Sequence, residues 1–287
     1  MSQSNNQSNV TAHTQSPHTH SQSVKLAQAI QQAQKILVIS GAGISVASGI
    51  APFRKDPNAI WEKDITERGT FRYFIQNPAD SWAWYHQRFS NLVGKQPNPA
   101  HHALKDLEDY CQSQNKEFTL VTQNVDGLHR QANSQNVIEI HGQAQYSRCA
   151  KVGCDHGAPQ GLISNQQLDF SAFIKSKDQS DLPHCSLCQT VLRPHVLWFD
   201  ERYDDHEDYR FDQAYEAFES ADLMIAIGTS FSVGITEMAL MLAERKQIPF
   251  WGIDLSQDPE VPLSDWLLGP CEQNLPLVIN ALKSRSS

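Results

Sequence analysis

Four cysteines in two closely spaced pairs are the first residues whose types and spacing predict chemistry. The pairs are Cys149-x4-Cys154 and Cys185-x2-Cys188. Four thiolates in short paired spacings are typical of a closed tetrahedral zinc site that stabilises a small module and takes no part in catalysis. The acidic net charge and the lack of a signal peptide disfavour disulfides. Four unrelated buried thiols are the alternative, and His156 and His184 are nearby as further ligand candidates.

A histidine and an amide–carboxylate pair form a second candidate site. The stretch TQNVDGLH (122–129) contains Asn124 and Asp126, and IEIHG (138–142) contains His141. Histidine transfers protons near neutral pH, and asparagine and aspartate side chains can hold amides or sugar hydroxyls. These residues predict a reaction centre with His141 as its acid–base group. A hydrogen-bonded buried histidine is the alternative.

A glycine-rich segment, VISGAGISVASGIAPFR (38–54), follows a strand-like apolar run. Small residues after a strand allow a dinucleotide diphosphate to approach backbone N–H groups. Val46 stands where the motif G-x-G-x-x-G has its third glycine, and no second strand ending in an acid follows about 20 residues later. These departures disfavour a hydride-transferring dehydrogenase. A tight turn without a ligand is the alternative.

Strand-like and helix-like segments alternate along the chain and must position these residues. Predicted strands lie at 35–40, 118–123, 137–142, 191–199, 223–230 and 248–254, and predicted helices at 24–34, 98–113, 206–220 and 237–246. This alternation predicts an α/β fold with a parallel sheet and helices on both faces. The polar strand ends, at 41–43, 122–124, 141–142, 228–230 and 254, should converge on one crevice.

The composition indicates a globular protein without a nucleic acid or membrane partner. The chain has 287 residues, of which 40% are hydrophobic, and its formal net charge is −9. It has no basic stripe, no signal peptide and no apolar run of the ~20 residues that span a bilayer, so we expect a cytoplasmic protein. Residues 1–23 are almost all Ser, Gln, Asn, Thr and His and predict a disordered tail. Weak metal binding by His13, His18 and His20 is the alternative.

Together, these motifs resemble those of the sirtuins, the NAD-dependent protein lysine deacylases. GAGISVASGIAPFR, TQNVDGLH, IHG, the two cysteine pairs, RPHVLWF and GTS occur in the family's order, over residues 24–285. The resemblance implies a Rossmann-like NAD-binding domain at 24–145 and 191–287, a zinc-binding module at 146–190 and a helical part at 55–97 over the cleft. It also implies NAD as co-substrate, one structural zinc ion, and an acyl-lysine protein or peptide as the other substrate.

The resemblance also implies a role for each motif. The acyl oxygen attacks the nicotinamide ribose, nicotinamide leaves, and His141 acts as general base on the ribose hydroxyls to give free lysine and 2′-O-acyl-ADP-ribose. Asn124 and Asp126 act in catalysis. The residues implied in NAD binding are Gly41, Ala42, Gly43, Ser45, Phe53, Arg54, Gln123, Asn124, Asp126, Gly228, Thr229, Ser230, Asp254 and Cys271, the last predicted to lie in a loop. The residues implied to pair with the substrate peptide as an added strand are Val196, Leu197, Trp198 and Phe199.

The stretch SWAWYHQRF (81–89), a predicted helix behind Asn77-Pro78, addresses the acyl group. Tyr85 and Arg88 are three residues apart and share a helix face, where a phenol and a guanidinium can bind a carboxylate. The sirtuin subgroup that removes succinyl, malonyl and glutaryl groups has Tyr-x-x-Arg at this place. The resemblance therefore predicts a preference for succinyl- or malonyl-lysine over acetyl-lysine. A surface arginine beside a packed tyrosine, in a plain deacetylase, is the alternative.

The sequence departs from the family pattern at several positions. Ala51 precedes Pro52, Asp200 replaces a glycine after WF, Asp254 replaces an asparagine, and FSVGITEMAL lacks the usual Pro-Ala step. Two other functions therefore stay open. One is an NAD hydrolase or ADP-ribosyltransferase on the same fold, and the other is a non-enzymatic NAD-binding or zinc-dependent interaction protein.

Overall fold

The computed structural model describes residues 17–51 and 66–284. The helices are α1 (Pro17–Gln32), α2 (Phe71–Gln76), α3 (Pro78–Ser90), α4 (Pro99–Ser113), α5 (Leu128–Gln131), α6 (Ser171–Ser176), α7 (Phe211–Ser220), α8 (Gly234–Lys246) and α9 (Cys271–Lys283). The strands are β1 (Lys35–Ser40), β2 (Glu117–Thr122), β3 (Val137–Glu139), β4 (Gly142–Cys149), β5 (Ile163–Ser164), β6 (Leu192–Val196), β7 (Leu223–Ile227), β8 (Phe250–Asp254) and β9 (Asp265–Leu268). None of the described helices is long and apolar enough to cross a membrane.

The larger sheet is parallel throughout, and its strand order is β3-β2-β1-β7-β8-β9. The central strands are buried almost end to end, because their β-branched and aliphatic runs are covered by helices on both faces. Ser40 of β1 is level with Thr122 of β2 and with Ile227 of β7. The carboxyl ends of these three strands therefore meet at one edge, as the sequence predicts for an α/β fold.

Two hydrophobic cores cover the two faces of this sheet. One contains residues of α1, α4 and α9, and the other contains residues of α7 and α8. The start of α4 is fixed by its sequence, since Asn98 forms a capping box with His101 and Pro99 occupies the first turn. The Asn98 side chain also donates to the carbonyl of Ile44 at 2.8 Å. This cap thus ties α4 to the glycine-rich segment.

A second, antiparallel sheet has the strand order β5-β4-β6. The apolar run 191–199 was expected to add a strand to the parallel sheet, and this expectation is wrong because β6 pairs with β4 instead. The second sheet spans 142–196, so it extends beyond the predicted module, 146–190, at both ends. A run that is buried on both faces has the same residue pattern in a parallel and in an antiparallel sheet, so the pattern does not tell the two apart. The strand β6 is buried throughout, and α3 packs on it, since Trp82 Nε1 donates to the Leu192 carbonyl at 2.7 Å.

The predicted disordered tail is wrong for its last residues, because α1 begins at Pro17. Ser23 is buried and its hydroxyl donates to the Thr19 carbonyl at 2.9 Å. Gln22 donates to the Asp265 carboxylate of β9 at 2.9 Å. The tertiary contact between Gln22 and Asp265 supports α1 in a polar stretch that periodicity alone assigns to the tail.

Candidate active site

The glycine-rich segment forms a 3₁₀ helix of about two turns, Ala42–Ser48, shortly after β1. The Gly41 N–H donates to the Ile227 carbonyl and the Gly43 N–H donates to the Gly228 carbonyl, each at 2.9 Å. A Cβ atom on Gly43 would lie 2.6 Å from the Cα of Gly228, and a Cβ atom on Gly41 would lie 2.7 Å from the carbonyl oxygen of Gly228. Glycine is required here because the ends of β1 and β7 touch backbone to backbone.

Asn124, Ser45 and Asp126 form one hydrogen-bonded group beside this segment. Asn124 Nδ2 donates to the Gly41 carbonyl at 3.1 Å and to Ser45 Oγ at 3.2 Å. Ser45 Oγ in turn donates to Asp126 Oδ2 at 2.7 Å. Burial raises the pKa of Asp126, and the Leu128 N–H and the Ser45 hydroxyl act against this rise. The network fixes two predicted catalytic side chains, Asn124 and Asp126, against the glycine-rich segment.

His141 lies in the short connection between β3 and β4, in a half-buried position. Its Nδ1 is 3.0 Å from the carbonyl oxygen of Gln123. A carbonyl oxygen only accepts hydrogen bonds, so Nδ1 of the neutral ring carries the proton and Nε2 carries the lone pair. Nε2 is therefore the atom that can take a proton from a substrate hydroxyl. This is the arrangement that a general base needs.

The predicted residues of the nucleotide side surround the same strand ends. Gln123 Nε2 donates to Thr229 Oγ1 at 3.0 Å, which joins the ends of β2 and β7. The Gly228 N–H donates to the Ile253 carbonyl at 3.0 Å, one residue before Asp254. Asp254 Oδ1 accepts from the N–H of Leu255, and Ser230 hydrogen-bonds Ser232 at 2.6 Å.

Two further predicted residues of the cofactor site have different outcomes. Cys271 was expected in a loop, and this is wrong because it is the first residue of α9. Its thiol is buried and lies 4.0 Å from the Gly43 carbonyl, so it does adjoin the glycine-rich segment. Phe53 and Arg54 lie outside the described residues.

The segment predicted to pair with the peptide already uses its backbone donors. The N–H groups of Leu197 and Phe199 donate to the carbonyls of His141 and Gly69, each at 2.9 Å, and the N–H of Trp198 donates to Glu201 at 3.0 Å. An added strand must therefore pair through other groups at this edge. The Phe199 side chain is 52% exposed and offers an apolar contact instead.

Tyr85 and Arg88 lie on α3, as the sequence predicts. Trp198 Nε1 donates to the Tyr85 oxygen at 2.6 Å, so the phenol accepts this bond and keeps its own O–H as a donor. The Arg88 guanidinium lies over the Trp84 ring at 3.5 Å. Tyr85 is thus attached to the segment that was predicted to bind peptide, and Arg88 is one helical turn away.

Two residues after β6 contact the site: Asp200, which the sequence marks only as a departure from the sirtuin pattern, and Tyr203, which the sequence analysis does not mark. Asp200 accepts from the N–H groups of Phe71 at 2.6 Å and Arg72 at 3.1 Å. It therefore links the start of α2 to the segment that was predicted to pair with the peptide. Tyr203 places its hydroxyl 3.4 Å from His141 Nε2. No motif contains Tyr203, and the sequence offers no signal that it reaches His141.

The four paired cysteines come together at one end of the small sheet. Their sulfur atoms all lie within 4.8 Å of one another. The distance is 3.4 Å between Cys149 and Cys188 and 3.7 Å between Cys154 and Cys185. Zn–S bonds of ~2.3 Å in a tetrahedron place sulfurs about 3.8 Å apart. The four thiolates therefore fit one structural zinc ion, with His156 beside Cys185 at 3.7 Å.

Comparison with known proteins agrees with this site. Residues 41–234 match the Sir2 family. "NAD-dependent deacetylase sir2E" of Dictyostelium discoideum is 31% identical over 263 residues, 88% of this chain and 75% of the relative. "NAD-dependent protein deacylase sirtuin-5, mitochondrial" of Xenopus tropicalis is 30% identical, over 88% of this chain and 83% of the relative. A solved Sir2 homolog–NAD complex superposes with a TM-score of 0.74 at 28% identity, over 92% of this chain and 94% of that one. The family match over 41–234 and the identity to these relatives show that the chain belongs to the Sir2 family.

Proposed function

We propose that this Sir2-family enzyme removes acyl groups from protein lysine side chains with NAD as co-substrate, and that His141 is its general base. The observation that carries the proposal is the hydrogen bond from His141 Nδ1 to the Gln123 carbonyl, which leaves Nε2 as the proton acceptor. Through Gln123 the base is joined to Thr229 of β7. The base and the proposed nucleotide side therefore meet at one residue.

NAD supplies the ribose that receives the acyl group, and the protein holds it at the strand ends. Asn124 donates to the Gly41 carbonyl and to Ser45, and Ser45 donates to Asp126, so the polar atoms of Asn124 and Ser45 are fixed before substrate binds. Preorganised polar groups avoid the cost of reorientation during the reaction. His141 then takes a proton from a ribose hydroxyl, a role typically worth ~10²–10⁴ in rate. The relatives' names, NAD-dependent deacetylase and deacylase, agree with this reaction.

The acyl group is the finer part of the proposal: we infer that succinyl- or malonyl-lysine is preferred over acetyl-lysine. Tyr85 keeps an O–H donor while its oxygen is fixed by Trp198, and Arg88 brings a positive charge from the same helix. A carboxylate at the end of the acyl chain would gain a charged hydrogen bond worth ~1.5–3 kcal/mol. This free energy corresponds to a preference of about ten- to a hundredfold in kcat/KM.

The test compares kcat/KM for matched succinyl-lysine and acetyl-lysine peptides. The native enzyme should prefer the succinyl peptide, and Arg88→Met should reverse the order while the acetyl rate changes little. Arg72→Met, on the exposed face of α2, is the control for loss of a positive charge near the cleft. Preference for acetyl-lysine by the native enzyme would show that Arg88 does not recognise the acyl group.

A second assay separates the deacylase from the other functions that the motifs leave open. Nicotinamide release is measured with NAD alone and with NAD plus an acyl-lysine peptide. Release that depends on peptide marks a deacylase, release without peptide marks an NAD hydrolase, and no release marks a binding protein. The fixed Asn124–Ser45–Asp126 group and the lone pair at His141 Nε2 support peptide-dependent release.

The cellular compartment is also a proposal. The acidic net charge and the absence of a membrane-spanning helix among the described residues agree with a cytoplasmic protein. The relative sirtuin-5 of Xenopus tropicalis is named as mitochondrial. Localisation of a tagged full-length chain distinguishes the two compartments.

A further inference from the structure

We propose that Tyr203 is a positioning residue of the active site, which holds the His141 ring from its Nε2 side until a ribose hydroxyl of the substrate replaces it. The proposal rests on the proposed function, since it concerns the base of that reaction. Its starting observation is the distance of 3.4 Å between the Tyr203 hydroxyl and His141 Nε2. The two rings are also nearly parallel, at 18°, with centroids 5.9 Å apart.

The hydrogen bond has a defined direction. Nδ1 of His141 donates to the Gln123 carbonyl at 3.0 Å, so Nε2 has the lone pair and the Tyr203 O–H must be the donor. The imidazole is then held at both of its nitrogen atoms. A ring held at one nitrogen can still rotate about its side-chain bonds, whereas a bond at the opposite edge opposes that rotation. Tyr203 therefore keeps the lone pair aimed at the place where a hydroxyl group binds.

The tyrosine itself is held in place by packing. Its ring stacks on Phe211 with centroids 5.4 Å apart and an interplanar angle of 13°. It packs against the core that contains α7 and α8, and its oxygen faces the first residues of α8, near Gly234 and the N–H of Ile235. A side chain fixed on these sides retains its position when the base rotates or changes partner.

The length of the bond fits a temporary partner. At 3.4 Å it is beyond the usual 2.5–3.0 Å for an O–H donor, so a ribose hydroxyl at shorter distance replaces it at little cost. Burial raises the pKa of Tyr203, and the Ile235 N–H opposes this rise. The phenol is therefore protonated at neutral pH and acts as a donor. The Tyr203 hydroxyl thus donates to His141 Nε2 without protonating it, and Nε2 can still accept a proton once the ribose hydroxyl has replaced the tyrosine.

The experiment is Tyr203→Phe, which removes the hydroxyl and keeps the ring that stacks on Phe211. Deacylation kcat should fall about two- to tenfold, the size expected for one neutral hydrogen bond, while KM for NAD is unchanged. Exchange of labelled nicotinamide into NAD, in the presence of acyl peptide, should stay at the wild-type rate because nicotinamide leaves before the base acts. The ¹⁵N resonances of the His141 ring should shift at Nε2 and keep the pattern of a protonated Nδ1.

Tyr215→Phe is the matched control, because it removes an exposed phenol on α7 whose hydroxyl donates to Glu219. It should leave deacylation, exchange and the His141 resonances unchanged. Wild-type deacylation by Tyr203→Phe, or an equal loss in exchange and deacylation, would overturn the proposal. A native enzyme without deacylase activity would instead reject the proposed function, and the His141 resonances would still report whether Tyr203 binds Nε2.

Discussion

Glu201→Gln should destabilise the protein strongly, because Glu201 is the counter-ion of two buried arginines. Its carboxylate accepts from Arg193 Nη2 at 2.9 Å and from Arg148 Nη2 at 3.3 Å, and Arg193 Nη1 makes a further contact. It also accepts from the Trp198 N–H at 3.0 Å. The same carboxylate therefore neutralises the charges of Arg148 and Arg193, and it holds the segment that was proposed to pair with the peptide.

The expected magnitude follows from burial. Both arginine side chains are 3% exposed and the Glu201 side chain is 11% exposed. Removing one partner of a buried pair typically costs about 3–5 kcal/mol, because the remaining charge has no counter-ion. We expect a loss at the upper part of this range at pH 7, since two guanidinium groups lose their partner together.

The loss should depend on pH in a direction that the structure fixes. Burial alone would raise the pKa of Glu201. Arg193, Arg148 and the Trp198 N–H lower it by more than burial raises it, so the pKa lies below its usual 4.5. A carboxyl group with a lowered pKa stabilises the fold above the unfolded pKa and loses this contribution as the pH falls through the folded pKa. The difference between the wild type and Glu201→Gln should therefore be full at neutral pH and shrink in acid.

Urea unfolding at several pH values, with zinc present throughout, measures this difference. Glu219→Gln is the matched control, because Glu219 also binds two cations, Arg245 at 2.6 Å and Lys246 at 2.5 Å. These partners are 57% and 33% exposed, so solvent screens the pair and the loss should be much smaller. Equal losses for the two variants, or a wild-type free energy of unfolding for Glu201→Gln, would refute the argument from burial.

The remaining predictions concern the base and the metal. His141→Ala should abolish deacylation, while NAD binding, measured by calorimetry, and the unfolding temperature should stay close to wild type. The reason is that Gln123, whose carbonyl loses its partner, is only half-buried. Near wild-type turnover would show that His141 is not the base. Cys185→Ser should lower bound zinc, measured by metal analysis, from about one ion per chain and should lower the unfolding temperature, because Cys185 is fully buried among the other sulfurs; a metal-free protein that is folded and active would contradict the zinc site.

The sequence predicts the parallel sheet well because its strands carry their own signal. The runs at 35–40, 118–123, 223–230 and 248–254 correspond to β1, β2, β7 and β8 within a few residues. The strand β9, Asp265–Leu268, was missed, since four residues between polar turns are too few for periodicity to detect. The pairing of β6 with β4 could not be predicted either. Which strands pair depends on the path of the chain, and the residue pattern of one strand does not identify its partner.

The residues of the candidate site also fall into those that local sequence patterns predict and those that only the fold reveals. The cysteine pairs and the strand ends could be predicted, because metal spacing and strand-end chemistry are local patterns. The contacts of Asp200 and Tyr203 could not be predicted, because each residue contacts a partner distant in the chain: Asp200 contacts Phe71, and Tyr203 contacts His141. Residues of this kind follow no motif, and only the fold reveals that their polar atoms meet.

The glycine-rich segment shows that the reason first given for a motif can be incomplete. The sequence suggests that small residues at 41–43 make room for a diphosphate, and the resemblance to sirtuins agrees. In the structure the space beside Gly43 is filled by Gly228, whose Cα would lie 2.6 Å from an added Cβ. Alanine at Gly43 would therefore push β1 and β7 apart whether or not a nucleotide binds there. Loss of activity in such a variant would not locate NAD. Ser45 and Asn124 present polar side-chain atoms in the same region, and Asn124 meets the backbone of Gly41 through a side-chain hydrogen bond at 3.1 Å, with no backbone packed against backbone. Ser45→Ala and Asn124→Ala are for this reason the informative substitutions for placing the cofactor.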